Sequence, residues 1–212
     1  MPVTEFALLQ LKPVYSKADF IEILRESLAI QDQWVREHQP HLLQDKPYDK
    51  LSAFYVQISD SPCLLINATW DTPEGHGEWL QSAENKSVFA KLAEYVADVS
   101  DSVVVFHMEP AAGSEAELRG DIFTQELSFS VCRISVNASQ KESLLEKYRS
   151  IEAQARIANP NSRVWAGWRI EKDGDAEELV IFWSQGVLDT QLDGLLSIPD
   201  AEHELRQFQN VE

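Results

Sequence analysis

Apolar and polar positions along this 212-residue chain follow two periods, one of two residues and one near 3.6, and the segments that carry them recur in a repeating order. Phe6-Ala-Leu-Leu-Gln-Leu11 reads as a strand leading toward Ser16-Lys-Ala-Asp19, a phrase in which a hydroxyl caps a helix by bonding the amide three residues on. Phe20, Ile23, Leu24, Ile30 and Trp34 then recur at helical spacing as far as His38, before Pro40 ends the run. Ser52–Ile58 and Cys63–Trp70 read as two strands around a turn at Ser59-Asp-Ser-Pro62. Thr72 as cap and Pro73 at the first position open a second helix, with Val88, Leu92, Tyr95 and Val99 on one face. Ser102–Met108 completes a βαββαβ order.

The order then begins again. Phe129-Ser-Val-Cys-Arg-Ile134 and Ser139-Gln-Lys-Glu142 restate the opening strand and its helix start 123 positions later. Leu144, Leu145, Tyr148, Ile151 and Ala155 mark the helix, Val164–Ile170 and Glu178–Trp183 the hairpin, and Asp173-Gly174 its turn. Trp70 and Trp183 close the third strand of each half. A short helix within Leu188–Ile198 and a strand over His203–Val211 complete the second set. The expected fold is α+β, with a first half over residues 1–110, a linker over 111–124 rich in Ala, Gly, Ser and Glu, and a shorter half over 125–212.

A hydrophobic fraction of 44% is enough for a real core, and a net charge of −17 repels phosphate backbones and anionic lipid, so nucleic acid and membrane surfaces are not expected partners. The first residues lack a basic start and a long apolar stretch, which reads as a cytoplasmic protein. Cys63 and Cys132 fall in predicted strands as buried free thiols. His38 and His41 flank Pro40 without a carboxylate set, so no structural metal is expected. The chain carries no Gly-x-Ser-x-Gly elbow, phosphate-cradling loop or His-Glu-x-x-His, which leaves serine hydrolase, nucleotide and zinc-protease readings without support.

The element order, together with Trp70-x-Thr72-x-Glu74-x-His76-x-x-Trp79-x-x-Ser82, resembles the antibiotic-biosynthesis-monooxygenase-like branch of the dimeric α/β-barrel superfamily, in particular its tandem fungal members. As architecture the resemblance spans nearly the whole chain, whereas the motif belongs to the first half alone. It implies two tandem ferredoxin-like repeats that form a barrel from one chain as a pseudo-dimer, ligand cavities between a sheet and its helices, and homodimers in some relatives. It also implies cofactor-independent chemistry of secondary metabolism on aromatic or polyketide-like compounds, as monooxygenase, cyclase or isomerase, with haem handling in other branches. A shared fold does not select among these.

Within that frame His76 is the candidate base. The Thr72-Pro73 start puts it near the first turn of a helix, whose dipole disfavours imidazolium, so a neutral ring could accept a phenolic or enolic proton. A surface or packing histidine is the competing reading. Gly75 and Gly77 beside it point either to close ligand approach or to a frayed helix start. Asn67, polar among Leu64, Leu65, Ile66 and Ala68, is the candidate oxyanion donor, unless it pairs with backbone. Trp70, Trp79, His107 and Arg133 are candidate substrate-binding residues, each with a bland alternative: core packing for the tryptophans, a satisfied core histidine for His107, and an acid partner for Arg133. Three functions compete: an enzyme forming an enolate or phenolate on a hydrophobic small molecule without a bound cofactor, a non-catalytic binder or stress-type protein, and haem handling through His76 or His107. His76 and Trp79 have no counterparts near Asp189 and Leu192, so any chemistry is expected in the first half.

Overall fold

Eight strands close into one antiparallel barrel in a computed structural model, which describes residues 2–43, 51–57, 59–98, 102–111, 123, 128–159, 163–172, 174–184, 186 and 192–211. They are β1 (Val3–Gln10), β2 (Ser52–Gln57), β3 (Cys63–Trp70), β4 (Val103–Pro110), β5 (Phe129–Asn137), β6 (Val164–Arg169), β7 (Ala176–Ser184) and β8 (Glu202–Asn210). The helices among the described residues are α1 (Lys17–His38), α2 (Pro73–Gln81), α3 (Ala83–Leu92), α4 (Lys141–Ala158) and α5 (Leu192–Leu196). Around the barrel the first four strands run β4-β1-β3-β2 and the last four β6-β7-β5-β8. Short seams join the two sets, Tyr55–Gln57 against Phe208–Asn210 and Met108–Pro110 against Gly167–Arg169. This α+β architecture, an eight-stranded antiparallel barrel closed by one chain, is consistent with the expected dimeric α/β-barrel fold.

Strands such as β1, buried along nearly their whole length, show why alternation is weak here: each is covered on both faces. Inward-facing residues fill the barrel. Phe6, Leu65, Phe106, Met108, Phe129, Val131, Phe182 and Phe208 form one interior cluster, with Phe6 stacked on Phe106 at 4.8 Å. Outward-facing Ala7, Leu9, Phe54 and Leu64 meet Phe20, Leu24 and Leu28 of α1 and Val88 and Leu92 of α3. On the other half Leu179, Ile181 and Trp183 meet Leu144, Tyr148 and Ile151 of α4.

Several local details differ from the sequence reading. The single helix expected after Thr72 is two helices, because Ser82 is extended at φ −63° and ψ 158°, and its hydroxyl accepts the Asn85 N–H at 3.0 Å instead of continuing the turn. Tyr95 lies beyond α3 and packs on Phe20, while Val99 falls outside the described residues. The echo of the first helix cap is also inexact. Ser16 caps α1 as expected, whereas α4 starts at Lys141 after a turn of 3₁₀ helix in which the Gln140 side chain accepts the Asn137 N–H. Of the expected linker only Ala111 and Phe123 are described, and Phe123 is buried in the barrel, stacked on Phe129 at 4.6 Å. Asp189 is outside the described residues. Cys63 and Cys132 are buried free thiols. No helix is long and apolar enough to cross a membrane.

Candidate active site

The motif around Trp70 folds as a strand end, a cap and a short helix. Trp70 ends β3 with its side chain on the helix side of the sheet, Thr72 is extended and its hydroxyl accepts the Gly75 N–H at 3.1 Å, and Pro73 starts α2. Gly75 is accounted for by packing, since a Cβ there would sit 2.7 Å from the Gln39 side chain, whose Oε1 accepts the Asp71 N–H at 3.1 Å. One turn in, His76 is directed down onto the sheet and lies flat on Trp70, ring centroids 4.7 Å apart. Trp34, Trp70 and Trp79 meet as a packed group, with centroids 5.6 to 6.3 Å apart.

Beneath His76 the outward face of the sheet carries two further polar side chains. Glu5 on β1 stands directly across from His107 on β4 in the strand register. Glu5 Oε2 accepts the Trp70 Nε1–H at 2.7 Å and lies 3.5 Å from His76 Nε2. His76 Nδ1 meets His107 Nε2 at 2.9 Å, and His107 Nδ1 meets Glu171 Oε1 at 2.5 Å. The His107 backbone N–H also donates to Glu171 Oε2 at 2.8 Å. The result is an unbroken row of polar groups from Glu5 to Glu171, crossing from the first half of the chain to the second.

Burial sets the protonation of this row. Glu5 is pushed up to about 7 because its charged form is desolvated, an effect that the Trp70 bond and His107 only partly offset. Burial, reinforced by His107, lowers His76 to about 3. Glu171 is itself partly desolvated, but the bonds from the His107 ring and backbone hold it below the usual carboxylate range. At mildly acid pH Glu5 and His76 are thus a neutral pair rather than an ion pair.

The opposed shifts have a consequence for stability. Glu5 has a raised pKa in the folded state, so its contribution is full below about 4.5 and is lost as pH rises through about 7. His76 has a depressed one, so its contribution is full above 6.5 and is lost as pH falls toward 3. Between 4.5 and 6.5 the two slopes cancel. Urea unfolding of Glu5→Gln is expected to gain stability relative to the parent protein at pH 8 compared with pH 5, since only the parent must bury a carboxylate. An equal difference at both pH values would contradict the raised pKa.

Above Glu5 and His76 lies a cavity of about 90 Å³ between the first-half sheet and α1–α3, lined by Ala7, Phe54, Ile66, Trp79, Val88 and Leu92 among others. Its rim is apolar and open: Leu80, Phe89, Val103 and Val105 all line it, with 41% to 49% of each exposed. Two further polar residues line it. Asn85 of α3 donates its amide to the Leu80 carbonyl at 3.2 Å, whereas Gln31 of α1 is 5% exposed and its side-chain amide has no protein partner among the described residues.

The residues expected from sequence are therefore divided. His76 and Trp79 line the cavity, Trp70 lies under His76 as its support, and His107 stands behind it with Nε2 2.9 Å from His76 Nδ1. Asn67 is not brought to His76. It pairs in register with Phe6, whose side chain fills the barrel, so it faces the interior on the opposite side of the sheet, with its Oδ1 unpartnered there among the described residues. Arg133 is also inside the barrel, bonded to Glu178 at 2.5 Å and Glu204 at 3.2 Å and lying over the Phe6 and Phe106 rings. His38 and His41 take separate partners, the Trp34 carbonyl and Asp71, and no group of three or more His, Cys, Asp or Glu suited to a metal occurs among the described residues. Glu5, Gln31 and Glu171 were not singled out from the sequence. Only a polar residue within an otherwise apolar strand, as Glu5 is in Val3-Thr-Glu-Phe6, offered any signal.

No family model and no curated protein matches the chain. Among solved structures it resembles a candidate monooxygenase from Fusobacterium nucleatum (9% identity, TM-score 0.60, covering 100% of this chain and 93% of the other). It also resembles an anthrone oxidase-like protein (13% identity, TM-score 0.60, 100% and 92%). A third is a haem-binding protein from Thermus thermophilus (10% identity, TM-score 0.51, 98% and 90%). At these identities the likeness is one of fold. The haem of the third neighbour does not suit this site, because His76 and His107 are 1% and 7% exposed and both ring nitrogens of each already face protein groups.

Proposed function

We propose that this chain is a monooxygenase-like enzyme that uses no bound organic cofactor and acts on a hydrophobic, aromatic or polyketide-like small molecule. We read its halves, 1–110 and 125–212, as tandem ferredoxin-like repeats on the strength of their common strand order. The observation that carries the reading is Glu5, a buried carboxyl brought to about 7 at the floor of an apolar cavity. A base is most effective when its pKa lies near working pH. Neutral His76 and the Trp70 N–H hold the carboxyl in place. The free amide of Gln31 supplies an N–H to the substrate oxygen on which negative charge develops. Glu5 takes the acidic C–H or O–H proton, the electron pair is delocalised into an enolate or phenolate, and that anion is oxidised by dioxygen or rearranges by cyclisation or isomerisation.

A cavity of about 90 Å³ admits only the reacting part of such a molecule, so the remainder lies along Leu80, Phe89, Val103 and Val105. The small volume also favours a second reading, a non-catalytic binder, since drug-sized ligands usually occupy roughly 300–1,000 Å³. The anthrone oxidase-like neighbour makes anthrone, whose acidic methylene lies between two aryl rings that conjugate its anion to a ketone, the first substrate to try. Enzyme-dependent oxygen consumption with anthrone supports catalysis. Quenching of tryptophan fluorescence with anthrone recovered unchanged would favour the binder instead.

A further inference from the structure

We propose that His107 and Glu171 form a proton exit for Glu5, delivering its proton through the barrel wall to the mouth of the barrel while the substrate cavity stays closed. The proposal rests on the reading of Glu5 as the base. It assigns a role to the second half of the chain, which supplies Glu171 immediately after β6.

Three facts carry it. The first is continuity: His76 Nδ1 to His107 Nε2 is 2.9 Å and His107 Nδ1 to Glu171 Oε1 is 2.5 Å, with Glu5 Oε2 3.5 Å from His76 Nε2. The second is polarity. Glu171 accepts only, so His107 carries a proton on Nδ1; in its neutral form it presents Nε2 as acceptor, and His76 then carries its proton on Nδ1 and presents Nε2 to Glu5. Every donor in the row points the same way. The third is where the row ends. Glu171 is 43% exposed and borders a separate pocket of about 440 Å³ at the barrel mouth, among Arg169, Lys172, His203, Glu178, Glu202 and Glu204.

The transfer balances without an imidazolium at either end. Glu5 gives its proton to His76 Nε2, His76 gives Nδ1–H to His107 Nε2, and His107 gives Nδ1–H to Glu171. Glu5 becomes a carboxylate, Glu171 a carboxylic acid, and both rings exchange tautomers and stay neutral. Glu171 then loses its proton to water at the mouth; when the ligand has left and water enters the cavity, a proton passing from the mouth to His107 Nδ1 and from His107 Nε2 to His76 Nδ1, with His76 Nε2–H released to that water, restores the starting tautomers. A ligand seated on the apolar rim blocks water from above, so while it is bound Glu5 loses its proton only along this row. His107 and Glu171 do not line the cavity and act through Glu5 as relay residues.

The test keeps the rim covered: the protein saturated with anthrone in the absence of dioxygen is moved into D₂O at mildly acid pD, and infrared spectroscopy follows the carboxylic-acid C=O band that Glu5→Gln removes as it shifts from COOH to COOD. In Glu171→Gln, an exposed change that keeps one acceptor, for the His107 Nδ1–H, and gives up the one for its backbone N–H, the exchange is expected to slow by roughly tenfold or more, because it must then wait for anthrone to leave the rim. His107→Asn is expected to behave alike. Ser135→Ala, which alters the same mouth without touching the row, is expected to exchange at the parent rate. Parent-like exchange in both Glu171→Gln and His107→Asn would overturn the exit and leave Glu5 as base. Absence of any band assignable to Glu5 would overturn the base, and the exit with it.

Discussion

Glu5→Gln is expected to bind anthrone with parent affinity and to turn it over about 10²–10⁴-fold more slowly, the usual contribution of a positioned general base. The substitution is nearly isosteric. Its carbonyl oxygen, placed where Oε2 stands, can still accept the Trp70 Nε1–H, and only the longer 3.5 Å contact of that same oxygen with His76 Nε2 loses its proton, so the floor of the cavity keeps its shape. What disappears is the capacity to take a proton near neutral pH. The loss should therefore fall on kcat, read from oxygen consumption, with the dissociation constant from tryptophan quenching unchanged. A kcat close to that of the parent would place the base elsewhere. His76 itself is poorly suited to the part, since a ring lowered to about 3 gives little driving force for proton abstraction, and its lone pair already serves Glu5.

The second large effect is on stability and comes from the opposite side of the same sheet. Phe182 is fully buried in the barrel interior, with Trp165, Phe123 and Phe6 rings 5.7, 6.2 and 6.3 Å away. Phe182→Ala is expected to cost about 3–5 kcal/mol, because the surrounding rings are carried by separate segments of the chain and cannot collapse into the space. Against a typical total of roughly 5–15 kcal/mol that is a large fraction, visible as a lower urea midpoint at unchanged slope. Activity per folded molecule should be retained, since the cavity lies on the helix side. A loss below about 1 kcal/mol would mean that the interior is loosely filled. A selective loss of turnover would mean that the barrel, not the helix side, holds the substrate.

The contrast between Glu5 and Asn67 shows how far the sequence could be read. Both are polar residues in apolar strands, and local alternation fixes only that neighbours point to opposite faces. In a barrel covered by helices both faces are apolar, so the run Cys63–Trp70 carries no sign of which one is inside. The candidate oxyanion donor was sought at Asn67, on a strand, and an unpartnered amide reaches the cavity from Gln31, on a helix face that reads as ordinary amphipathic surface. Arg133 illustrates the same limit: its acid partners Glu178 and Glu204 are 45 and 71 residues away in sequence.

The sequence by itself determined what depends on neighbours along the chain. The strand–helix order, the caps at Ser16 and Thr72, the helix start at Pro73 and the restriction of His76 and Trp79 to the first half all follow from local periodicity and local hydrogen bonding. Tertiary structure alone decided what depends on which strands become neighbours. Barrel closure sets Glu5 opposite His107 and joins β4 to β6, bringing Glu171 to His107 across 64 residues. The helix layer then seals Glu5 from water, and this desolvation, which no local pattern encodes, turns an ordinary carboxylate into a group poised near neutrality.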